Sequence, residues 1–185
     1  SAVVEDVVDE QLCIQLLAKI ADVQERAIED VKAAAATYER ILSLDPSSFA
    51  AIDALIELHR RTNDFSALVT CVVRKAEMVE PADDKKQLLL YAANVRETVM
   101  EDPAGSVELY QQVVALDDTD PTALGALEKL YISLQRWEDL KDIYQRKTEL
   151  TEDPSERRQI LYVLGQVYDR ELNDRDRAID TYQAI

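Results

Sequence analysis

One spacing governs this chain. Tyr38, Tyr110 and Tyr182 are evenly separated by 72 residues (110 − 38 and 182 − 110). The same shift links Gln15 with Gln87 and Gln159, Leu17 with Leu89 and Leu161, Val23 with Val95 and Val167, and Asp30 with Asp102 and Asp174. Self-similarity at a fixed period marks an array of stacked units, and it limits the folds open to the chain more than composition does. From 65 to 113 the chain matches 137 to 185 without a gap at this shift. Residues 46 to 61 match 121 to 136 at a shift of 75, which implies two three-residue insertions, at Asp118–Asp120 and at Thr62–Asp64.

Each period is too long for one helix pair and right for two. Gly is scarce, at 3 of 185 residues, and Ala, Leu, Glu, Gln, Lys and Arg dominate. These residues lose little freedom in a helix. The apolar residues recur at three- and four-residue spacing, as in Leu124, Leu127, Leu130, Tyr131 and Leu134. The pattern predicts an all-α chain of about ten helices. They fall at Gln11–Ile28, Val31–Leu44, Ser47–Arg61, Phe65–Val79, Lys85–Met100, Ala104–Leu116, Thr122–Leu134, Trp137–Leu150, Ser155–Leu172 and Arg175–Ile185. Asp45-Pro46, Asp120-Pro121 and Asp153-Pro154 are helix stops, because a residue before Pro disfavours the α region. Ser47, Asp83 and Ser155 are the expected first-turn caps. The units run roughly 11–46, 47–82, 83–120, 121–153 and 154–185. Each leaves an apolar stripe that only a neighbouring unit covers.

The residues resemble a tetratricopeptide repeat array. Leu164-Gly165-x-x-Tyr168 matches the first part of that family's pattern. Ala34-x-x-x-Tyr38 and Ala178-x-x-x-Tyr182 resemble the second part, with Tyr for Phe, and Pro46 and Pro154 follow where the family's Pro belongs. Only Gly165 keeps the packing Gly, with Ala21, Asp53, Ala93 and Glu128 standing at that place elsewhere, and no unit carries the leading Trp. The related repeats of RNA-processing scaffolds share an IYxR second helix, which Ile143-Tyr144-Gln145-Arg146 matches and Thr37-Tyr38-Glu39-Arg40 approaches.

The resemblance implies a right-handed α-solenoid of antiparallel helix pairs whose first helices line a concave groove that takes a peptide or partner protein. The groove-facing positions it implies are Gln15, Asp22, Glu25, Glu57, Gln87, Asn94, Glu97, Lys129, Gln159, Tyr162, Gln166 and Asp169. Ala18, Ala50, Ala54, Leu90, Gly125 and Ile132 lie among them. Three of these places recur: Gln15, Gln87 and Gln159; Asp22, Asn94 and Gln166; Glu25, Glu97 and Asp169. A ladder of amides and carboxylates grips an extended backbone and favours a basic or polar segment. The alternative to a free-standing scaffold is a regulatory or positioning module of a larger multidomain enzyme.

Charge and motifs narrow the rest. A net charge of −16 repels phosphates and anionic lipid heads, so neither nucleic acid nor membrane is an expected partner. Ala2 to Val8 is too short and acidic for a secretion signal. Cys13 and Cys71 lack metal-ligand spacing and read as small buried hydrophobes. His59, the single histidine, has no nucleophile clustered with it, and no glycine-rich phosphate loop or paired-cysteine motif is present. We therefore expect no catalysis, cofactor or metal. Trp137 takes the place of Phe65, and Tyr38, Tyr110, Tyr144 and Tyr182 fall at core places. The chain stops at Ile185 within a second helix. Two expectations follow: a longer parent protein, or self-association through that open end.

Overall fold

A computed structural model describes residues 2–185, with side chains from Asp9 onward. The leader reading at Ala2 to Val8 therefore concerns side chains outside the described residues. The described residues form ten α-helices and one π-helical turn: α1 Ala2–Arg26, α2 Val31–Leu44, α3 Phe49–Thr62, α4 Phe65–Met78, α5 Ala82–Thr98, α6 Pro103–Leu116, α7 Pro121–Ser133, α8 Trp137–Leu150, α9 Pro154–Gln166, the π turn Val167–Glu171 and α10 Arg175–Gln183. The chain divides into two compact units, Ser1–Leu88 and Leu89–Ile185. In the first, α1 packs on α2, α2 on α3 and α3 on α4. In the second, α6 packs on α7, α7 on α8, α8 on α9, and α10 on α9 and the π turn. Packing between sequence neighbours is the mark of a solenoid.

Every first helix turns into its partner through one left-handed residue: Glu29, Asn63, Glu101, Gln135 and Asn173, at φ between 51° and 58°. Their separations alternate, 34, 38, 34 and 38 residues (63 − 29, 101 − 63, 135 − 101, 173 − 135). The period of 72 is thus one step of 34 and one of 38. In α1–α2, α5–α6 and α9–α10 the turn closes one residue wider, with Asp30 N–H reaching Gln24 C=O, Asp102 reaching Arg96 and Asp174 reaching Tyr168. In α3–α4 and α7–α8 the closure is tighter, Asp64 to His59 and Arg136 to Tyr131. We call the former long pairs and the latter short pairs.

The structure removes the two insertions. Asp45 caps Ser47 as Asp117 caps Thr119, 72 residues later. Ala51, Ile52, Leu55 and Leu58 are buried in α3, and Ala123, Leu124, Leu127 and Leu130 are buried in α7, again at 72. The identities at a shift of 75 come from chance matches such as Pro46 with Pro121, and burial shows that the register never slips. Asp53 therefore aligns with Gly125, and Glu128 with Ile56.

The caps also differ from expectation. At α9 the cap is Asp153 in place of the expected Ser155; at α3 the N-cap is Ser48, not Ser47, and makes no side-chain cap bond; Asp83 lies inside the first turn of α5. Asp153 accepts from Ser155 N–H at 3.0 Å, and Asp120 accepts from Thr122 and Ala123 N–H. Asp30, Asp64, Asp102 and Asp174 do the same for the second helices. A carboxylate here satisfies orphan donors and suits the helix dipole. Pro103, Pro121 and Pro154 sit in the first turn, where a missing N–H costs nothing. Pro46 does not, since α3 starts at Phe49. α1 begins well before the expected Gln11.

Candidate functional site

Long pairs are clasped by a tyrosine. The Tyr110 hydroxyl on α6 donates to Glu97 on α5 at 2.9 Å, and Tyr38 on α2 reaches Glu25 on α1 at 3.4 Å. Glu25 also receives Arg61 at 2.8 Å and has a side chain only 15% exposed. Two residues of the expected binding ladder are therefore bound within their own unit. In the third long pair the ring of Tyr182 approaches within 2.4 Å of where a Cβ on Gly165 would stand. That close approach is why glycine occupies this place. Tyr182 was expected in the core but is 37% exposed; α10 packs against α9 and the π turn.

Short pairs are clasped by a lysine. Lys75 on α4 pairs with Asp53 at 2.6 Å, and Lys147 on α8 pairs with Glu128. The lysines are 72 residues apart, while the carboxylate moves one helical turn along the first helix. Glu128 also accepts from Tyr144 at 2.8 Å. Burial, reinforced by the carboxylate, pushes the phenols of Tyr110 and Tyr144 far above their ordinary value. Burial also raises the phenols of Tyr38 and Tyr131. Tyr110, Tyr38 and Tyr144 donate to their carboxylates, while the Tyr131 hydroxyl accepts from the Gln111 amide at 2.8 Å.

The remaining candidates lie on the first helices. In the first unit Gln15 and Gln87 are exposed; Asp22 is exposed and pairs with Arg26 at 2.8 Å, and Glu57 pairs with Arg60 at 2.7 Å. In the second unit Asn94, Lys129, Gln159, Tyr162 and Asp169 are exposed, while Glu97 and Gln166 are half-buried. Tyr162 lies against Tyr182, ring centres 6.0 Å apart. Gln166 borders a recess of about 180 Å³ lined by Ile132, Trp137, Val163 and Arg170 among others. Ile132 is 46% exposed. Ile132 and Gln166 stand among the groove-facing positions read from the sequence, whereas Trp137, Val163 and Arg170 do not.

His59 Nδ1 stands 3.9 Å from Asp64, beyond hydrogen-bond reach. Cys71 is buried in the core with Leu42, Ile52 and Leu55, and burial lifts its thiol to about 11. Among the described residues no group of three or more His, Cys, Asp or Glu could hold a metal ion. Among them, too, no helix is long and apolar enough to cross a membrane.

The fold and these faces define an all-α solenoid of helix pairs, a class built to present surface. Its kind is tetratricopeptide-like: two sequence models of the tetratricopeptide repeat match, over residues 123–158 and 159–185. Similar solved structures include MamA, at 15% identity and TM-score 0.42, covering 92% of this chain and 88% of that one. YrrB, titled a TPR protein with an unusual peptide-binding site, aligns at 17% identity and TM-score 0.44, over 89% of this chain and 80% of its own. PilF of Pseudomonas aeruginosa aligns at 14% identity and TM-score 0.45, over 91% and 72%. Likeness at this level says nothing about ligands. No curated protein matches the chain.

Proposed function

We propose that the chain is a protein–protein interaction scaffold without catalysis of its own, and that the exposed sides of its first helices contact an extended, basic or polar partner segment. One observation supports this reading most: Gln15, Gln87 and Gln159 recur at one repeat place, all exposed, and no side-chain hydrogen bond among the described residues engages them. A primary amide offers a donor and an acceptor together, which is what an extended peptide backbone requires. Asp169 and Asp22 at neighbouring repeat places add negative charge, and the net charge of −16 draws basic segments. We read residues 11–46, 47–82, 83–120, 121–153 and 154–185 as the five units that carry this face.

A panel of extended peptides of basic, neutral and acidic composition tests this. Basic peptides are expected to bind, more weakly as salt rises. Gln87→Ala with Asn94→Ala, both on α5, is expected to weaken binding by roughly tenfold, on the order of 1 kcal/mol for lost hydrogen bonds. Unchanged binding by that variant contradicts the reading.

A further inference from the structure

The short pairs α3–α4 and α7–α8 are built alike, so a place where they differ is informative. His59 and Tyr131 hold one such place. Each accepts the N–H that closes its turn, from Asp64 and from Arg136. At Tyr131 the interior is closed. Tyr131 is 3% exposed and Val107 on α6 is fully buried. Gln111 of α6 donates to the phenol, and the Arg136 guanidinium lies over the ring, 5.0 Å from its centre.

At His59 the same place is open. A notch of about 320 Å³ lies there, lined by Lys32 and Ala35 of α2, Leu58, His59 and Thr62 of α3, and Asp64 among others. Three of its places hold a smaller side chain than one period later: Ala35 for Val107, His59 for Tyr131 and Thr62 for Leu134. A fourth, Lys32 for Ala104, adds a charge. The four are scattered in sequence and meet at one cavity. The His59 side chain is only 14% exposed, and its ring nitrogens have no hydrogen-bond partner among the described residues. A sequestered polar group left so is unfavourable until something bonds to it. Among the described residues the Lys32 ammonium also has no partner. Asp64 is engaged by Ala67 N–H at 3.1 Å, and the Thr62 hydroxyl donates to Leu58 C=O at 3.0 Å.

We propose that this notch holds an aromatic side chain of a partner protein segment, with a carboxylate next to it in sequence held by Lys32 and His59. The second copy supplies the reason for the ring: there the chain fills the same place with its own Tyr131. The two unpartnered donors supply the reason for the carboxylate. Val31 and Thr62 also line a wider cleft of about 520 Å³, which gives an extended segment room to continue. Arg61 in that cleft is taken by Glu25 and Arg26 by Asp22. Glu29, also lining it, suits a basic residue farther along the segment. The site lies apart from the amide-bearing face and goes beyond it.

The probe is a short capped peptide of glycine and serine with phenylalanine followed by glutamate at its centre. His59 is the single histidine, so its imidazole proton signals report the site without ambiguity. They are expected to shift and saturate with this peptide, and to stay put when alanine replaces the phenylalanine. Lysine in place of the glutamate is expected to weaken binding about threefold or more. Ala35→Val with Thr62→Leu fills the notch as the second copy does, and is expected to abolish the shift while helicity is kept. Lys32→Ala, at an exposed place, is expected to lower affinity about threefold, and it decides the matter if the filled variant loses helicity. No shift with the probe, a shift that survives filling, affinity unchanged by Lys32→Ala, or tighter binding of the lysine peptide overturns the proposal. Phenylacetate binding as tightly as the peptide overturns it too, in favour of a small-molecule pocket. Gln87→Ala with Asn94→Ala is expected to leave the His59 shift unchanged, so this site and the amide-bearing face fail separately.

Discussion

At the scale of single residues, the left-handed turns carry the most avoidable strain. Glu29, Glu101 and Gln135 hold φ near 50–60° without being Gly or Asn. An L side chain in that region costs roughly 1–2 kcal/mol, and Gly removes it while loosening the unfolded chain. Glu101→Gly or Gln135→Gly is therefore expected to stabilise by about 0.5–1 kcal/mol in denaturant melts, whereas Asn63→Gly and Asn173→Gly change little. The clasping tyrosines act in the opposite direction. Tyr110→Phe removes a hydrogen bond to Glu97 and is expected to cost about 1–2 kcal/mol, since the acceptor is charged. The sign of the pH effect follows from the raised phenols. A group whose folded pKa exceeds its unfolded value stabilises fully below the unfolded value, about 10, and loses that contribution as pH rises through the folded one. Helicity followed by circular dichroism is expected to hold to pH 10 and fall above it. Tyr110→Phe and Tyr144→Phe are expected to flatten that fall.

Among the elements, the caps and the small residues separate the two kinds of pair. Asp102, just before α6, accepts from Gly105 N–H at 2.9 Å. Asp102→Ala is expected to lower stability by about 1 kcal/mol in thermal melts. Long pairs bury Ala34, Ser106 or Ala178 early in the second helix, where short pairs bury Leu68 and Leu140. Leu140→Ala leaves a cavity and is expected to cost about 2–5 kcal/mol, while Ala34→Leu overpacks and costs about 1–3 kcal/mol. Helix identity was legible in the sequence because periodic apolar residues and Asp or Pro stops are local signals. Trp137–Leu150 and Val31–Leu44 were read to the residue. What could not be read was register within α3 and α7. Pro46 with Pro121 and Arg61 with Arg136 advertised a shift of 75, and only burial reveals that Leu55 and Leu127 share a place. The recruitment of Glu25 and Glu97 as clasps was also hidden, because the reach of a Tyr hydroxyl depends on packing between helices, which spacing alone does not encode.

For the whole molecule, the unit of construction is neither one helix nor one pair but a long pair followed by a short one. That alternation accounts for the period of 72, for steps of 34 and 38, for two kinds of clasp and for two kinds of joint. In a solenoid, stability is a sum of repeat terms and nearest-neighbour joints, so joints between the wrong kinds should weaken the fold. Internal deletion tests this most directly. Removing residues 81–152 joins Glu80 to Asp153 and takes out one full period, leaving a short pair followed by a long one. Removing residues 117–152 joins Leu116 to Asp153 and takes out the short pair alone, setting long on long. Thermal unfolding by circular dichroism is expected to show one cooperative transition for the first chain and a broad, destabilised one for the second. Equal cooperativity in both, or loss of the fold on removing the full period, would contradict the alternation.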